Sequence, residues 1–528
     1  MTNSNTTETA SRNKETAREA DPTNKSLISV VFLGVLAGLQ LIDPAVANTA
    51  LVPAARDLGM QGSAFALASS ISTLALAATV LPFGMLADRL GRRKIILVAL
   101  IITIIGDVIV ALSPVTAGYF AGRAIAGIGV GAVLAASFAY VRYVSKPEKL
   151  GANLGLWNLA LIVVFIVGSV LGGVLANTHW RLAMLLVPAL AAICFFLTPM
   201  ILPSMPKVPG GKPDYLGMTT IALAMIAFLY GIAQVSHGLG APQFFIPTIA
   251  GLLLFALYYW VETKVENPIF PPRLFASGIF AAAIVAGIAW NFAQGAVQLQ
   301  TSNFWQYVQH YSTGEVASGQ LIFMIAYGVF GVIAGKAMAP GMRAAKLIGF
   351  GFIVLTVGFL LFGFVKPNTG LGLFLPLLFF MGIGLAFTSV PQSVLFVSVA
   401  PAKYFGPVTS FRTTAGQLGY ALGFAVSTGL LSAFATAELR ERLSNNGVAQ
   451  SQMQNPMQQV IDFVTKGTQP TLSEAQAQIG TALNDYAYGF DAMMIICGIF
   501  LAFLGAITIL LLVIGNKQIK EGQDFSGD

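Results

Sequence analysis

Fourteen long apolar runs constrain the fold of this chain more than any other feature of its sequence. A helix needs about 20 apolar residues to cross the hydrocarbon core of a bilayer, because each residue adds about 1.5 Å. Backbone polar groups find no water in that core, so a crossing segment pairs them internally. The runs cover approximately 27–52, 63–86, 94–113, 116–142, 151–176, 181–202, 215–236, 244–262, 277–304, 317–338, 345–365, 371–397, 404–434 and 489–514. They predict an all-α integral membrane protein with fourteen transmembrane helices.

Composition excludes the soluble alternatives. Of the 528 residues, 56% are hydrophobic and 10% are charged, whereas soluble domains carry about 25% charged residues. The net charge of +7 arises from cations in the short segments between the runs, so topology explains it better than nucleic-acid binding does. Two cysteines inside apolar runs and three scattered histidines predict no disulfide and no metal site. No catalytic constellation and no phosphate-binding glycine motif occurs, so we expect a non-enzyme without a cofactor.

The distribution of lysine and arginine predicts the orientation. An even number of spans places both termini on one side, and 21 of the 29 cations fall on that side against 5 on the other. Cations concentrate in cytoplasmic loops, so both termini are expected in the cytoplasm. Residues 1–26 are polar and are expected to form a disordered tail, and 515–528 form the second tail. Short loops and the lack of a targeting peptide favour a bacterial inner membrane.

The most specific motif lies between the second and third runs. Residues 84–94 read GMLADRLGRRK, with glycines that permit a tight turn and cations that favour the cytoplasmic side. This segment resembles the signature loop between the second and third helices of major facilitator superfamily transporters. The resemblance implies a gating joint, whereas a loop that only anchors topology is the alternative. Its candidate residues are Gly84, Asp88, Arg89, Gly91, Arg92 and Arg93.

Further motifs resemble the fourteen-span drug/proton antiporter branch of that superfamily. Residues 41–51 (LIDPAVANTAL) are similar to the first-helix pattern of this branch, and 417–423 (QLGYALG) are similar to its thirteenth-helix motif. The fifth run departs from the pattern, because Ser169 stands where the antiporter motif has proline. The motif residues there are Gly168, Ser169, Gly172 and Gly173. The resemblance implies a proton-driven exporter that works by alternating access, and the serine weakens that implication.

The resemblance also implies the domain organisation. Residues 27–202 are expected to form an N-terminal six-helix bundle, and 276–514 a C-terminal one. Residues 203–275 would hold a linker and the extra helix pair. The polar segment 435–488 would be a long outer loop, within which a short amphipathic helix over 472–486 and a poorly ordered connector are both open.

Three ionisable residues inside the N-terminal runs are predicted to meet. Counting the rise along each run places Asp43, Asp107 and Arg123 at one depth, roughly 9–14 Å below the outer surface. Charge inside a bilayer is costly, so such a cluster indicates function. Two acids that share one guanidinium make one of them a candidate for proton exchange. The resemblance favours Asp43 as the coupling acid and Arg123 as its modulator, and a static ion pair is the alternative, favoured for Asp107.

Amide side chains indicate where substrate binds. In the ninth run Asn291, Gln294 and Gln298 recur at helical spacing, so they share one face, which lines a cavity or forms interhelical hydrogen bonds. The predicted cavity residues are Gln40, Trp290, Asn291, Gln294, Gln298, Gln417 and Tyr420. No carboxylate lies mid-run in the C-terminal half, which disfavours strongly cationic substrates.

The sequence therefore predicts a proton-coupled exporter of amphipathic organic compounds that contacts membrane lipids and no nucleic acid, and that is expected to be a monomer. One alternative is a transporter of a lipid or cell-envelope glycolipid, which Ser169 and the neutral amide stripe favour. A second alternative is a non-transporting membrane sensor or assembly partner.

Overall fold

The structure, a computed structural model, is helical throughout the part that it describes. It describes residues 24–60, 63–205, 215–234, 240–264, 274, 276–311, 313–338, 344–399, 405–466 and 469–520. The helices are α1 (Asn24–Leu58), α2 (Ser63–Leu90), α3 (Arg92–Leu112), α4 (Thr116–Val144), α5 (Leu150–Thr178), α6 (Trp180–Met184, continued after Leu185 by Leu186–Ile201), α7 (Tyr215–Ala233), α8 (Pro242–Glu262), α9 (Gly278–Tyr307), α10 (Thr313–Ala337), α11 (Ala344–Phe362), α12 (Leu371–Val399), α13 (Phe405–Asn445), α14 (Gln454–Lys466), α15 (Ser473–Gln476) and α16 (Ile479–Lys520).

The predicted all-α membrane fold is confirmed. Twelve of the described helices are long and apolar enough to cross a membrane. Two shorter apolar segments, Ile71–Ala87 in α2 and Leu216–Ile232 in α7, coincide with the second and seventh predicted runs. The helix count of fourteen stays a prediction, because these two segments fall below the length of a full span. The tails predicted at 1–26 and 515–528 lie largely outside the described residues, although α1 begins at Asn24 and α16 continues to Lys520.

Small residues set the direction and spacing of the helices. Gly34 of α1 lies against Trp157 of α5, and Gly172 of α5 lies against Val46 of α1, so these two helices run parallel. The side chains of other residues would keep the backbones further apart. We call the side of the molecule where α1 and α5 begin the first face, and the opposite side the second face.

The extra pair α7–α8 packs on the rest of the protein through α7. Met218 and Ile221 of α7 share a buried cluster with Leu81 and Met85 of α2. The outer surface of α8 is exposed and apolar, at Leu252, Leu253, Tyr259 and Trp260. An exposed apolar helix face of this size suits contact with lipid.

The N-terminal and C-terminal helices meet near the first face. Gly151 and Gly155 of α5 lie against the backbone carbonyls of Gly335 and Gly331 of α10, so the two helices cross with almost no side chain between them. Residues of α2 and α13 also pack together on the first-face side of the molecule. Leu81 and Met85 of α2 share a buried cluster there with Val408 and Phe411 of α13. These contacts close the first-face side of the interface between the halves.

The predicted outer loop 435–488 is instead built largely of helices. Helix α13 continues to Asn445, α14 covers Gln454–Lys466, and α16 already begins at Ile479. Of the two possibilities left open for 472–486, a short amphipathic helix and a poorly ordered connector, the structure has neither alone: α15 and the first residues of α16 occupy this range, and α14 is an additional amphipathic helix before it. Leu443, Met453, Val460 and Ala475 bury one another in a small core of their own, which explains why this polar segment folds.

The crossing of α3 and α4 supplies a stability prediction. A Cβ atom on Gly106 would lie 2.3 Å from the backbone nitrogen of Ala126, whereas one on Gly429 of α13 would meet nothing within 4 Å. Gly106→Ala should therefore force the helices apart and destabilise the fold by about 1–3 kcal/mol. Gly429→Ala, the matched control, gains helix propensity without a clash. Thermal unfolding of both purified variants checks this, and an unchanged midpoint for Gly106→Ala would contradict the packing.

Candidate functional site

The three ionisable residues of the N-terminal helices form one buried cluster. Arg123 of α4 contacts both oxygens of Asp43 of α1, with NH1 2.5 Å from Oδ1 and NH2 3.0 Å from Oδ2. The same NH1 lies 3.2 Å from Oδ1 of Asp107 of α3. All three side chains are about 98% buried. The structure thus brings the predicted proton-coupling residues into direct contact, and their role in coupling stays a prediction.

Close helix packing places these charges. Gly127 of α4 lies against the backbone of Ser72 of α2, which brings α2 beside the cluster. The Ser72 hydroxyl donates a hydrogen bond of 2.7 Å to Oδ2 of Asp43. Tyr119, one turn before Arg123 on α4, is also buried. Sequence reasoning missed Ser72, because a single serine in an apolar run gives no signal of its own.

The two acids are bound unequally. Asp43 accepts a bidentate contact from Arg123 and a hydrogen bond from Ser72, whereas Asp107 accepts one hydrogen bond. Oδ2 of Asp107 is buried and receives no donor from any described residue. A buried carboxylate oxygen without a donor is costly, and a bound proton removes that charge. Asp107 is therefore the less completely paired of the two acids in this conformation, whereas the sequence-based expectation named Asp43 as the coupling acid.

The helix-5 motif packs directly behind Asp43. A Cβ atom on Gly168 would lie 2.6 Å from Cδ1 of Ile42, and one on Gly172 would lie 2.5 Å from Cγ2 of Val46. Gly173 faces open space, with nothing within 4 Å of such an atom. The hydroxyl of Ser169 is buried and finds no partner among the described residues. The glycines of the motif therefore set the distance between α5 and the helix that carries the ion cluster.

The predicted cavity residues divide into bonded and unbonded groups. Gln298 accepts from the Tyr420 hydroxyl at 2.9 Å, and Asn291 donates to the carbonyl of its own helix at Gly287. Gln300, further along α9, donates to Ser427 and Thr428, so interhelical hydrogen bonding explains part of the amide stripe. The remaining predicted residues, Gln40, Gln294 and Gln417, are buried or partly buried. Trp290 carries a buried indole Nε1 that has no partner among the described residues.

The gating motif is a helix-to-helix corner and not a loop. Helix α2 extends through Asp88 and Arg89 to Leu90, and α3 begins at Arg92, so Gly91 alone makes the turn. Gly84 is buried within α2. Arg92 is buried and its NH1 lies 3.5 Å from the carbonyl of Ala136. Arg93 donates to the carbonyl of Leu202 at 3.3 Å, which connects the corner to α6. The side chain of Asp88 lies outside what the structure describes.

Gly91 supplies a second prediction. Its φ angle is +99°, where a Cβ atom is strained, although nothing lies within 4 Å of the position that it would take. Gly91→Val should destabilise the corner by roughly 1–3 kcal/mol through backbone strain alone. Gly91→Ala should cost less, because alanine lacks the branch at Cβ that adds further clashes with the backbone in valine. Comparing the two thermal midpoints checks this, and equal losses would show that the Cβ atom alone causes the strain.

A second charged contact joins α1 to α6 near the second face. Asp57 accepts hydrogen bonds from Arg181 at 2.9 Å and from the indole of Trp180 at 3.0 Å. Arg181 also lies over the Trp180 ring, with 4.3 Å to the centroid, and donates to the carbonyls of Ala111 and Ser113. The contact therefore ties the ends of α1, α3 and α6 together.

The Asp57 contact leads to a pH prediction. Hydrogen bonds from Arg181 and then Trp180 lower the pKa of Asp57 below its usual value near 3.8. A lowered pKa in the folded state gives stability that is present above the usual pKa and is lost only as pH falls through the lowered one. The difference in thermal midpoint between wild type and Asp57→Asn should therefore be constant from pH 5 to 8. A difference that varies across this range would show that another group titrates there.

The fold and the site together define a class of protein. A bundle of long apolar helices that buries an arginine between two acids at membrane depth is typical of polytopic membrane transporters. A family model, Major Facilitator Superfamily, matches residues 33–424. The chain belongs to the Major Facilitator Superfamily.

Relatives within the family are drug-resistance transporters. The multidrug resistance protein Stp of Mycobacterium tuberculosis is 25% identical over 427 residues, which cover 79% of this chain and 78% of that protein. The methylenomycin A resistance protein of Bacillus subtilis is 25% identical over 423 residues, covering 78% and 89%. A bacterial homolog of the human lysosomal transporter Spinster, solved in an inward-facing and unoccupied conformation, shares the fold with a TM-score of 0.58 at 15% identity, covering 94% of this chain and 98% of that one.

Proposed function

We propose that this protein is a proton-coupled exporter of amphipathic organic compounds that works by alternating access. The observation that carries the proposal is the buried cluster of Asp43, Arg123 and Asp107. Two acids around one guanidinium have room for one exchangeable proton, and a membrane gradient can drive its exchange. The drug-resistance relatives support small organic molecules as the substrate class.

The proton cycle follows from the unequal binding of the two acids. Asp107 holds the proton in the conformation described, while Asp43 stays paired with Arg123 and Ser72. When the halves rearrange, a small shift of α1 against α4 within the N-terminal body loosens the bidentate contact of Asp43. Arg123 then pairs with Asp107, which releases its proton. Substrate that favours one of the two arrangements is thereby coupled to proton movement.

The contacts between the halves support alternating access. Gly151 and Gly155 of α5 meet α10 close to the first face, the face on which the corner at Gly91 also lies. We assign the first face to the cytoplasm of a bacterial inner membrane, following the excess of cations there. The conformation is then closed toward the cytoplasm, and the N-terminal helices 27–202 and C-terminal helices 276–514 act as the two moving bodies, in a monomer.

A lipid or envelope-glycolipid transporter is the second candidate function. Ser169 occupies the place of the antiporter motif's proline, and its buried hydroxyl has no partner among the described residues. The amides around Gln298 are neutral, which suits a neutral or zwitterionic head group at least as well as a cation.

Reconstituted protein distinguishes the two candidates. Proteoliposomes with an imposed pH gradient would be given a cationic dye, a neutral drug and a fluorescent phospholipid, each in separate reactions. Gradient-dependent movement of the dye or drug supports the exporter, and collapse of the gradient with an ionophore should stop it. Movement of the lipid alone would replace drug export by lipid transport, and no movement of any probe would contradict both.

A further inference from the structure

A further cation, Arg412, lies at the junction of the two halves of the protein. Arg412 of α13 is partly buried, its NH2 donates to Oγ of Ser393 at 2.5 Å, and its guanidinium lies over the Phe138 ring at 4.3 Å from the centroid. No ion pair joins Arg412 to a carboxylate within the described part of the chain. A guanidinium inside a membrane protein without a counter-ion is expensive, so it needs an explanation.

A cavity opens beside Arg412. Helices from both halves line it, with Trp157 and Asn158 of α5 facing Tyr327 of α10 and Ser389 of α12. Its volume of about 10 Å³ accommodates one oxygen-sized group in this closed conformation. The lining residues lie four to ten residues from the first-face ends of their helices, so the cavity is inside the protein and toward the predicted cytoplasm.

The cavity is lined by hydrogen-bond donors that lack acceptors. Nε of Arg412 and Nε1 of Trp157 are buried and have no partner within the described residues. The side chain of Asn158, beside Trp157, contacts Tyr327 across the cavity. Trp157 is 94% buried, and native proteins leave few buried donors unpaired. Two such donors around one small space, one from each half, indicate a place that receives an acceptor.

We propose that this cavity receives one oxygen of the anionic head group of an amphipathic substrate, such as a carboxylate or a phosphate, and that it widens around the head group when the halves separate. An oxyanion supplies the counter-ion that Arg412 lacks and accepts hydrogen bonds from Arg412 and Trp157 at the same time. The inference deepens the proposed function by naming the substrate class, and it rests on that function. An anionic substrate differs from the cationic drugs that a multidrug exporter is usually expected to bind. The reason is that the charged residue of the C-terminal half at this cavity is itself a cation, Arg412.

The path toward the second face suits the apolar body of such a molecule. The Trp290 ring lies 6.2 Å from the Tyr327 ring, measured between centroids, and its own indole N–H is unpartnered among the described residues. Beyond it lie the amides around Gln298 and Tyr420. Aromatic faces contact apolar chains well, and the amides match polar groups along the chain. Opening of the interface between the halves would join this path to the cavity.

A binding experiment with a matched pair of probes tests the proposal. The carboxylate 11-(dansylamino)undecanoic acid and its methyl ester share one body and differ in charge, and energy transfer from tryptophan reports their binding to purified protein in nanodiscs. We expect wild type to prefer the acid, Arg412→Gln to reduce the acid-to-ester affinity ratio about tenfold, and Arg412→Lys to retain part of it. Arg440→Gln, an exposed arginine on α13, is the control. Both probes also partition into the lipid of the nanodisc, equally for every variant. The measured quantity is therefore the change in the acid-to-ester affinity ratio between wild type and each variant.

The outcomes separate the alternatives. An equal ratio in wild type and Arg412→Gln would overturn the proposal. Displacement of the acid by inorganic phosphate or acetate would overturn the proposal that the bound oxyanion belongs to an amphiphile. The cavity would then be assigned to a free oxyanion. If Arg412→Gln does not fold, Trp157→Phe removes one donor and should still lower the ratio severalfold. Binding needs no proton gradient and Asp43→Asn should keep the ratio, so failure here and failure of proton-coupled export are distinguishable.

Discussion

Asp43→Asn and Asp107→Asn should both abolish substrate-driven proton release, yet they should change stability in opposite directions. Asparagine at position 107 removes the charge of the carboxylate whose Oδ2 has no donor among the described residues, so Asp107→Asn should fold at least as stably as wild type. Asparagine at position 43 removes the charge that Arg123 contacts through two nitrogens, so Asp43→Asn should lower the thermal midpoint.

A pH indicator in weakly buffered solution measures the proton release. Purified protein is mixed with a dye or drug that it binds, and wild type is expected to release up to one proton for each bound molecule. Ser72→Ala is the matched control, because it removes a hydrogen bond to Asp43 and leaves every charge in place. Continued proton release from Asp107→Asn would return the coupling role to Asp43, and release from both variants would show that the cluster is only a structural ion pair.

Arg123→Leu should have the largest effect on stability of any single substitution in the cluster. It would leave Asp43 and Asp107 buried together without a cation, and removal of one partner from a buried ion pair typically costs about 3–5 kcal/mol. We expect little folded protein in the membrane fraction, and a strongly lowered thermal midpoint in what is recovered. Arg181→Leu, which breaks the half-exposed contact with Asp57, should cost much less because solvent screens that pair.

A combined variant separates charge from shape. Adding Asp43→Asn and Asp107→Asn to Arg123→Leu removes all three charges, so the triple variant should regain much of the lost stability while remaining inactive. The difference between the stability of the triple variant and the sum of the three separate effects measures how strongly the three residues depend on one another. If the triple variant is as unstable as Arg123→Leu, the arginine acts through the volume that it fills between α1, α3 and α4, and not through its charge.

The sequence alone determined the class of fold and the main cluster. Runs of about 20 apolar residues place their side chains in lipid, and only a helix pairs all of their backbone polar groups there. The all-α membrane protein therefore followed without any tertiary information. The depths of Asp43, Asp107 and Arg123 could be counted because a helix rises by a fixed amount for each residue. Residues 84–94 and 417–423 then indicated the superfamily, which the match over residues 33–424 shows.

Other features depended on how side chains pack, which residue spacing does not encode. The unequal binding of Asp43 and Asp107 depends on Ser72, a residue on a third helix whose position follows from Gly127. The turn at Gly91 is made by a single residue, although the charges around it suggested a loop. The small core of residues 439–482 folds because apolar side chains separated by polar stretches meet only in space.

The cavity beside Arg412 shows most clearly where the sequence ends and the tertiary structure decides. The sequence places an arginine near the start of one span, and Trp157 and Asn158 in another run more than 250 residues earlier, with no pattern that relates them. Helix contacts across the two halves bring their donors around one small space. Local periodicity fixes which face of a helix is polar, but only the packing of whole helices decides which polar faces meet and whether an acceptor is missing between them.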